Sequence, residues 1–193
     1  MRDSVAVCLT IVGEMGRFNY FCSKMIENMT EKQHYSTATE AADRFMQGYN
    51  CGQAVFTTFA ERYGLTTEQA MRISAAFGGG IGRQRQTCGA VLALSVLAGL
   101  EYGNESPEDK ARMLDSFSAI REMSEAFKAE YGSIVCGEIM GFPGFEKADG
   151  PAQRQPIPEC YKAKPCAMKV KLAAEIFERM LEKREATEKE QPL

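Results

Sequence analysis

Apolar side chains recur every three or four positions from residue 36 onward, the spacing of one face of an α-helix. Neither alternation of apolar and polar residues nor a hairpin turn sequence interrupts this pattern. The pattern therefore predicts an all-α fold: a single-domain bundle of about five to seven helices with one glycine-rich loop.

The first predicted helix begins at residues 36–40, which offer a cap and an acidic first turn, and capping residues also mark the predicted starts of the next two helices. Asn50 precedes a helix that is expected to end at Gly64. Thr66 is followed three residues later by Gln69, the spacing of a capping box.

Later helices are predicted in the same way. The most apolar stretch, Cys88–Leu100, follows a possible cap at Thr87 and is expected to form the central buried helix. Ser106, followed by Pro107, predicts the start of a long helix that ends at Gly132.

The domain boundaries follow from where the helical pattern begins and ends. Residues 1–34 do not continue the pattern and are predicted to be an N-terminal extension, with Met29 as an alternative start. The other interpretation is a genuine helix packed on the domain. Residues 35–183 form the predicted helical domain, and residues 184–193 form a charged tail.

Composition excludes several classes of function. The net charge of -3 gives no reason to expect nucleic acid as a partner, and no apolar run reaches the roughly 18 residues of a membrane span. A single histidine, His34, nearly excludes histidine metal sites and histidine-based catalysis. The 7 cysteines are an odd number, too sparse for a disulfide scaffold, so we expect a cytoplasmic protein with reduced thiols.

Four cysteines are predicted at the starts of helices in separate segments. Ser133 is expected to cap a helix over residues 134–140, and Pro165 to open the last helix. Helix N-termini favour the thiolate, which attacks disulfides and binds metals, so we expect lowered thiol pKa values. The candidate catalytic and metal-binding residues are Cys51, Cys88, Cys136 and Cys166.

Alternatives to this interpretation remain open. Free cysteines are often small buried apolar residues without chemistry. Cys160, in a proline-bounded loop, competes with Cys166 as the fourth site cysteine, while Cys8 and Cys22 lie in the extension.

A glycine-rich segment precedes Cys88 and matches neither a P-loop nor a dinucleotide fingerprint. Glycines allow the backbone to approach a cofactor or a neighbouring helix closely. Arg83 and Arg85, just beyond, either bind an anion or face water. The candidate cofactor-binding residues are Gly78, Gly79, Gly80, Gly82 and Gly89.

The combined motifs resemble those of the C_GCAxxG_C_C family of redox-active proteins, over about residues 37–183. They are Gly48-Tyr49-Asn50-Cys51-Gly52-Gln53-Ala54-Val55, Phe77-Gly78-Gly79-Gly80-Ile81-Gly82, Thr87-Cys88-Gly89-Ala90, and Cys136 within Ser133-Ile134-Val135-Cys136-Gly137-Glu138. The fourth family cysteine corresponds best to Cys166. Ala93 stands where the family has glycine, and the chain has no CxxCH haem-attachment motif.

The resemblance implies a helical, cytoplasmic protein with an unidentified redox partner, either an oxidoreductase or an electron carrier. Its four cysteines would bind an iron–sulfur cluster or another metal, or would cycle between thiol and disulfide. Cys88 is the expected attacking thiol. The alternatives are a structural zinc site and a non-catalytic helical domain, whose faces at 107–131 and 166–181 would bind a partner or form a homo-oligomer.

Overall fold

The computed structural model describes residues 37–141 and 165–190, and all of them fall within one compact unit that begins at Thr37. The predictions about residues 1–34, including the start at Met29, and about Cys160 lie outside the described residues.

Seven α-helices account for most of the described chain, which contains no β-strand. The prediction of an all-α fold is therefore confirmed. The helices are α1 (residues 37–46), α2 (Cys51–Phe59), α3 (Thr67–Ile73), α4 (Gly89–Tyr102), α5 (Lys110–Tyr131), α6 (Cys136–Ile139) and α7 (Pro165–Glu190), with 3-10 turns at Ala60–Tyr63 and Ala75–Phe77.

The caps of α2 and α3 form as predicted. Asn50 Oδ1 accepts hydrogen bonds from the N–H groups of Gly52 and Gln53 at 3.0 and 2.9 Å. The Gln53 side chain accepts from the Asn50 N–H in return. Thr66 and Gln69 make the same reciprocal pair of bonds. Because these contacts span three residues, the local sequence determines them.

The starts of α4 and α6 differ by one or two residues from the prediction. Cys88, and not Thr87, is the N-cap of α4, because Thr87 forms an antiparallel bridge with Val135. The Ser133 hydroxyl accepts from the Val135 N–H, and α6 begins at Cys136 instead of Ile134. Because the bridge between Thr87 and Val135 joins segments that are far apart in sequence, both helices begin later than the local sequence predicts.

The start of α5 was also predicted too early. The Ser106 hydroxyl accepts a hydrogen bond from the Glu108 N–H and so caps a separate turn. The helix begins at Lys110, where Asp109 accepts from the Arg112 N–H.

The hydrophobic core is built around α4, which contacts α2, α5 and α7. An edge-to-face contact between Phe59 and Phe177, with ring centroids 4.9 Å apart, joins α2 to α7. Ala93 is fully buried in this core. The largest side chains that are fully buried include Phe56, Phe127, Phe177, Leu94, Leu97 and Met123.

A polar network holds the far end of α7 against the end of α4. The half-buried Tyr63 hydroxyl donates to Glu101 at 2.5 Å, and Arg184 lies 2.6 Å from the other carboxylate oxygen. Burial and the bond to Glu101 raise the pKa of Tyr63. Helix α7 continues to Glu190, so the boundary predicted at residue 183 falls inside a helix that packs on the domain. None of the helices described is long and apolar enough to cross a bilayer.

Candidate functional site

Four free cysteines lie at the first turns of four different helices. Cys51 is the first residue of α2, Cys88 occupies the N-cap position of α4, Cys136 is the first residue of α6, and Cys166 is the second residue of α7. Tyr63, just after α2, and Arg184, in the second half of α7, both contact Glu101 near the end of α4. The starts of these three helices therefore lie together at the opposite end of the bundle.

Cys51 is close enough to each of the other three cysteines to raise the pKa of its thiol. For Cys88, Cys136 and Cys166 alike, Cys51 raises the thiol pKa more than any other cysteine does. The structure thus brings the four sequence-predicted cysteines into one cluster, with Cys51 as the shared neighbour.

Two glycines bring the main chain directly against these cysteines. A Cβ atom on Gly89 would lie 2.5 Å from Cys51 Sγ and 2.6 Å from the Phe77 carbonyl oxygen. A Cβ atom on Gly80 would lie 2.7 Å from the Cys136 Cβ. At these positions a larger residue would push the cysteine or the backbone aside.

The glycine-rich loop, residues 78–87, contains five consecutive residues in the left-handed region. Residues 79–83 have φ between 55° and 71°, although Ile81 and Arg83 are not glycines. The N–H groups of residues 81–86 donate to carbonyl oxygens of residues 76–81. Since these donors are bonded within the loop, they are not available to hold a phosphate group.

The end of this loop fixes Cys88 relative to Cys136 through the main chain. The Cys136 N–H donates to the Gln86 oxygen at 2.7 Å, and the Gly137 N–H donates to the Arg85 oxygen at 2.9 Å. The Cys88 N–H donates to the Ile134 oxygen at 2.8 Å. Two cysteines distant in sequence are therefore joined by a rigid set of backbone bonds.

The predicted lowering of the thiol pKa is wrong for Cys88. Burial raises its pKa, and the neighbouring Cys51 raises it further. The backbone N–H groups of Ala90 and Val91 do lower the pKa, as expected at a helix start, but by less. The Cys88 side chain does not accept a capping hydrogen bond of normal geometry from these N–H groups. Cys88 is 5% exposed, and loss of hydration outweighs the helix terminus.

The same correction applies to the third and fourth cysteines. Burial and then Cys51 raise the pKa of Cys136 above its ordinary value. The same two causes raise the pKa of Cys166 to about 11. Cys166 Sγ also lies 3.8 Å from the Met140 sulfur.

Two cations act in the opposite direction, and the sequence interpretation missed one of them. Arg85 lowers the pKa of Cys136 through a side-chain hydrogen bond and through its charge. Lys169 lowers the pKa of both Cys136 and Cys166. The sequence could have indicated Lys169, because it lies three residues after Cys166 and so on the same face of the helix, among apolar positions.

The donor set fits a thiolate-bound metal in its chemistry. Four cysteines are the ligands of structural zinc and of common iron–sulfur clusters. Within residues 37–141 and 165–190, however, no three metal-binding side chains are arranged to hold an ion together.

Comparison with known proteins supports the resemblance seen in the motifs. The family described as "Putative redox-active protein (C_GCAxxG_C_C)" matches residues 49–180, which include all four clustered cysteines. Searches of curated proteins and of solved structures gave no match.

Proposed function

Because the chain belongs to the C_GCAxxG_C_C family of redox-active proteins, we propose that its cysteine cluster exchanges electrons by cycling between dithiol and disulfide. The observation that carries this proposal is the position of Cys51, whose Sγ packs against Gly89, the residue after Cys88, at a site where a Cβ atom would lie 2.5 Å from that sulfur. A shared thiol of this kind can form a disulfide with a neighbour after reacting with a substrate.

The reaction begins when the Cys51 thiolate attacks one sulfur of a substrate disulfide. The substrate S–S bond breaks, a mixed disulfide forms, and the first substrate thiol leaves with a proton. A second cysteine then attacks the Cys51 sulfur and releases the second substrate thiol. Two electrons pass to the substrate, and the protein retains one disulfide that an external thiol reductant must reduce.

Cys51 replaces Cys88 as the proposed attacking thiol. Cys51 is half-buried, whereas Cys88 is nearly inaccessible and its thiolate is disfavoured by burial. Attack on a substrate requires access as well as charge. In the second step Cys88, whose neighbour Gly89 packs against Cys51 Sγ, attacks the Cys51 sulfur and passes its proton to the departing substrate sulfur.

A thiolate metal centre is the second candidate, and the set of four cysteines supports it. In the metal-free protein, burial and the neighbouring Cys51 disfavour the thiolates of Cys88, Cys136 and Cys166. A bound cation would compensate that charge, and four helix starts would add their positive ends. An iron–sulfur cluster would supply one-electron transfer, whereas zinc would supply structural support.

Anaerobic purification, followed by measurement of iron, zinc, acid-labile sulfide and the visible spectrum, separates the two candidates. Stoichiometric iron and sulfide with thiolate-to-iron absorption would contradict thiol cycling and support an iron–sulfur cluster. A metal-free protein that forms an intramolecular disulfide with a mild oxidant would support cycling.

Mass spectrometry of the oxidised protein then tests the role of Cys51. The first disulfide should contain Cys51, and Cys51→Ser should abolish reduction of a small aromatic disulfide. Cys22→Ser, which lies before the region that matches the family, is the matched control and should keep the activity. Unchanged turnover in Cys51→Ser would contradict the assignment.

A non-catalytic, self-associating domain remains the alternative from a different class. Leu114 and Phe117 are 56% and 50% exposed on neighbouring turns of α5. Light scattering of wild type and Leu114→Glu tests this alternative. A dimer that the substitution dissociates, in a protein without metal or thiol activity, would favour it.

A further inference from the structure

A sulfur–sulfur contact that the proposed thiol cycle does not use joins the start of α7 to the residue that ends α6. The Cys166 thiol donates to the thioether sulfur of Met140, and the two sulfur atoms lie 3.8 Å apart. A lone pair of the thioether therefore faces the Cys166 sulfur. Both residues are half-buried, so a small ion can reach them from solvent.

The distance between these two sulfurs suits two ligands of one metal ion. Cysteine sulfur lies about 2.3 Å from the metal in zinc sites. Two sulfurs 3.8 Å apart and each about 2.3 Å from an ion subtend an angle of about 110° at it. A linear two-sulfur site would need a separation of about 4.6 Å, so this pair leaves room for a third ligand.

Cys136 is placed to supply that third ligand. It is the first residue of α6, and Met140 follows it by four residues, with the Met140 N–H donating to the Cys136 oxygen at 3.1 Å. Residues four apart share one face of a helical turn, and long side chains on a helix point back toward its N-terminus. The Met140 side chain is thus expected to extend toward the turn that carries Cys136.

We propose that Cys136, Met140 and Cys166 bind Cu(I). Thiolate and thioether sulfurs are soft ligands that select Cu(I), whereas structural zinc is bound by cysteine and histidine. Each thiol that binds the ion releases its proton to solvent, the thioether releases none, and the copper remains in the same oxidation state. The site differs from a four-cysteine metal centre because it uses Met140 and neither Cys51 nor Cys88.

Anaerobic titration of the full-length, reduced, metal-free protein with Cu(I), in competition with a chromogenic Cu(I) chelator, tests the proposal. Wild type should bind one Cu(I) more tightly than Met140→Leu, which keeps an apolar side chain of similar size but lacks the sulfur. Loss of a group that only orients a ligand costs about 10–100-fold in metal affinity, so loss of a ligand should cost at least about tenfold.

Met168→Leu is the matched control, because it makes the same substitution two residues after Cys166, at a methionine that is 58% exposed. It should keep the wild-type affinity for Cu(I). Cys51→Ser should also keep it, since Cys51 is not one of the three proposed ligands.

Nuclear magnetic resonance of wild type labelled with ¹³C at the methionine methyl groups gives a direct measurement. Cu(I) is diamagnetic, so the methyl signals remain visible when it binds. Among the 11 methionines, Met140 should show the largest change in chemical shift, and its signal is identified by its absence from Met140→Leu. The Met168 signal should stay in place.

The outcomes separate this proposal from the thiol cycle. Equal Cu(I) affinities of wild type and Met140→Leu, or a Met140 methyl signal that does not move, would overturn the copper site whether or not Cys51 forms a disulfide. Weaker binding by Cys51→Ser but not by Met140→Leu would assign Cu(I) to a four-cysteine centre and would overturn it as well. Weaker binding by Met140→Leu alone among Met140→Leu, Met168→Leu and Cys51→Ser would support it, even in a protein that does not reduce disulfides.

Discussion

Replacing Gly89 by alanine should destabilise the protein and disturb Cys51. The new Cβ atom would lie 2.5 Å from Cys51 Sγ, 2.6 Å from the Phe77 oxygen and 3.1 Å from the Phe77 carbonyl carbon. Distances below 3.0 Å are essentially never found for real Cβ atoms. The flexible thiol could turn away, but the Phe77 carbonyl belongs to the backbone and cannot.

The size of the effect comes from two opposing contributions. Alanine is favoured over glycine within a helix by up to about 1 kcal/mol. Forcing one methyl group into a packed site costs about 1–3 kcal/mol, and here backbone must move. Because Gly89 is the first residue of α4, its gain in propensity is small. We expect a net loss of about 1–3 kcal/mol in the free energy of unfolding.

Gly99 on the same helix provides the matched control. A Cβ atom there would have no neighbour within 4 Å, and the site is exposed. Gly99→Ala should therefore stabilise the protein by about 0.5–1 kcal/mol, giving the two variants opposite signs.

Urea unfolding under reducing conditions measures both changes, with the slope of the transition checked for constancy. The rate at which Cys51 is alkylated, followed by mass spectrometry, should also differ from wild type in Gly89→Ala but not in Gly99→Ala. If Gly89→Ala were as stable as Gly99→Ala, the close packing of Gly89 against Cys51 and Phe77 would be refuted.

Three further predictions concern the caps, the buried carboxylate and the fourth cysteine. Asn50→Ala should lower the free energy of unfolding by about 1–2 kcal/mol, because it removes the cap of α2 and the bond from Asn50 Nδ2 to the Ala75 oxygen. Thr66→Ala removes an exposed cap and should lower it by less in the same urea assay. An equal loss in the two variants would contradict this account. Glu101→Gln should lower the free energy of unfolding by about 1–3 kcal/mol, since it removes the negative charge that Tyr63 and Arg184 contact. Backbone hydrogen exchange should become faster in the second half of α7 but not in the first. Because burial raises the pKa of Cys166 to about 11, its alkylation at pH 8 should be about 100-fold slower than in the unfolded chain and should rise tenfold per pH unit. The raised pKa means that this thiol's contribution to stability is complete below about pH 9 and is lost as the pH rises toward 11; a rate that stays constant above pH 9 would contradict the shift.

Features determined by a few neighbouring residues could be predicted from the sequence. The caps at Asn50 and Thr66 and the glycine that ends α5 at Gly132 all depend on contacts within four or five residues. The predicted starts at Thr87 and Ser133 failed because both segments take part in a backbone bridge between distant parts of the chain. No local pattern encodes that bridge.

The candidate site shows the same division. The sequence pattern was enough to place four cysteines at helix starts, and the helix terminus does favour the thiolate of Cys88. The net pKa depends on burial and on Cys51, which are known only once the helices have packed. Lys169 was overlooked because a lysine in an apolar stripe usually extends its charged end to solvent. Here it is enclosed beside Tyr131.

The supply of one cysteine from each of four helices has a consequence for biosynthesis. As the ribosome releases the chain, Cys51 and Cys88 emerge with α2 and α4, but Cys166 emerges only with α7. The complete thiol cluster therefore cannot exist until the last helix has docked on the core. A chain truncated before α7 lacks that cluster, so the formation of the complete site reports that α7 has been synthesised and has docked.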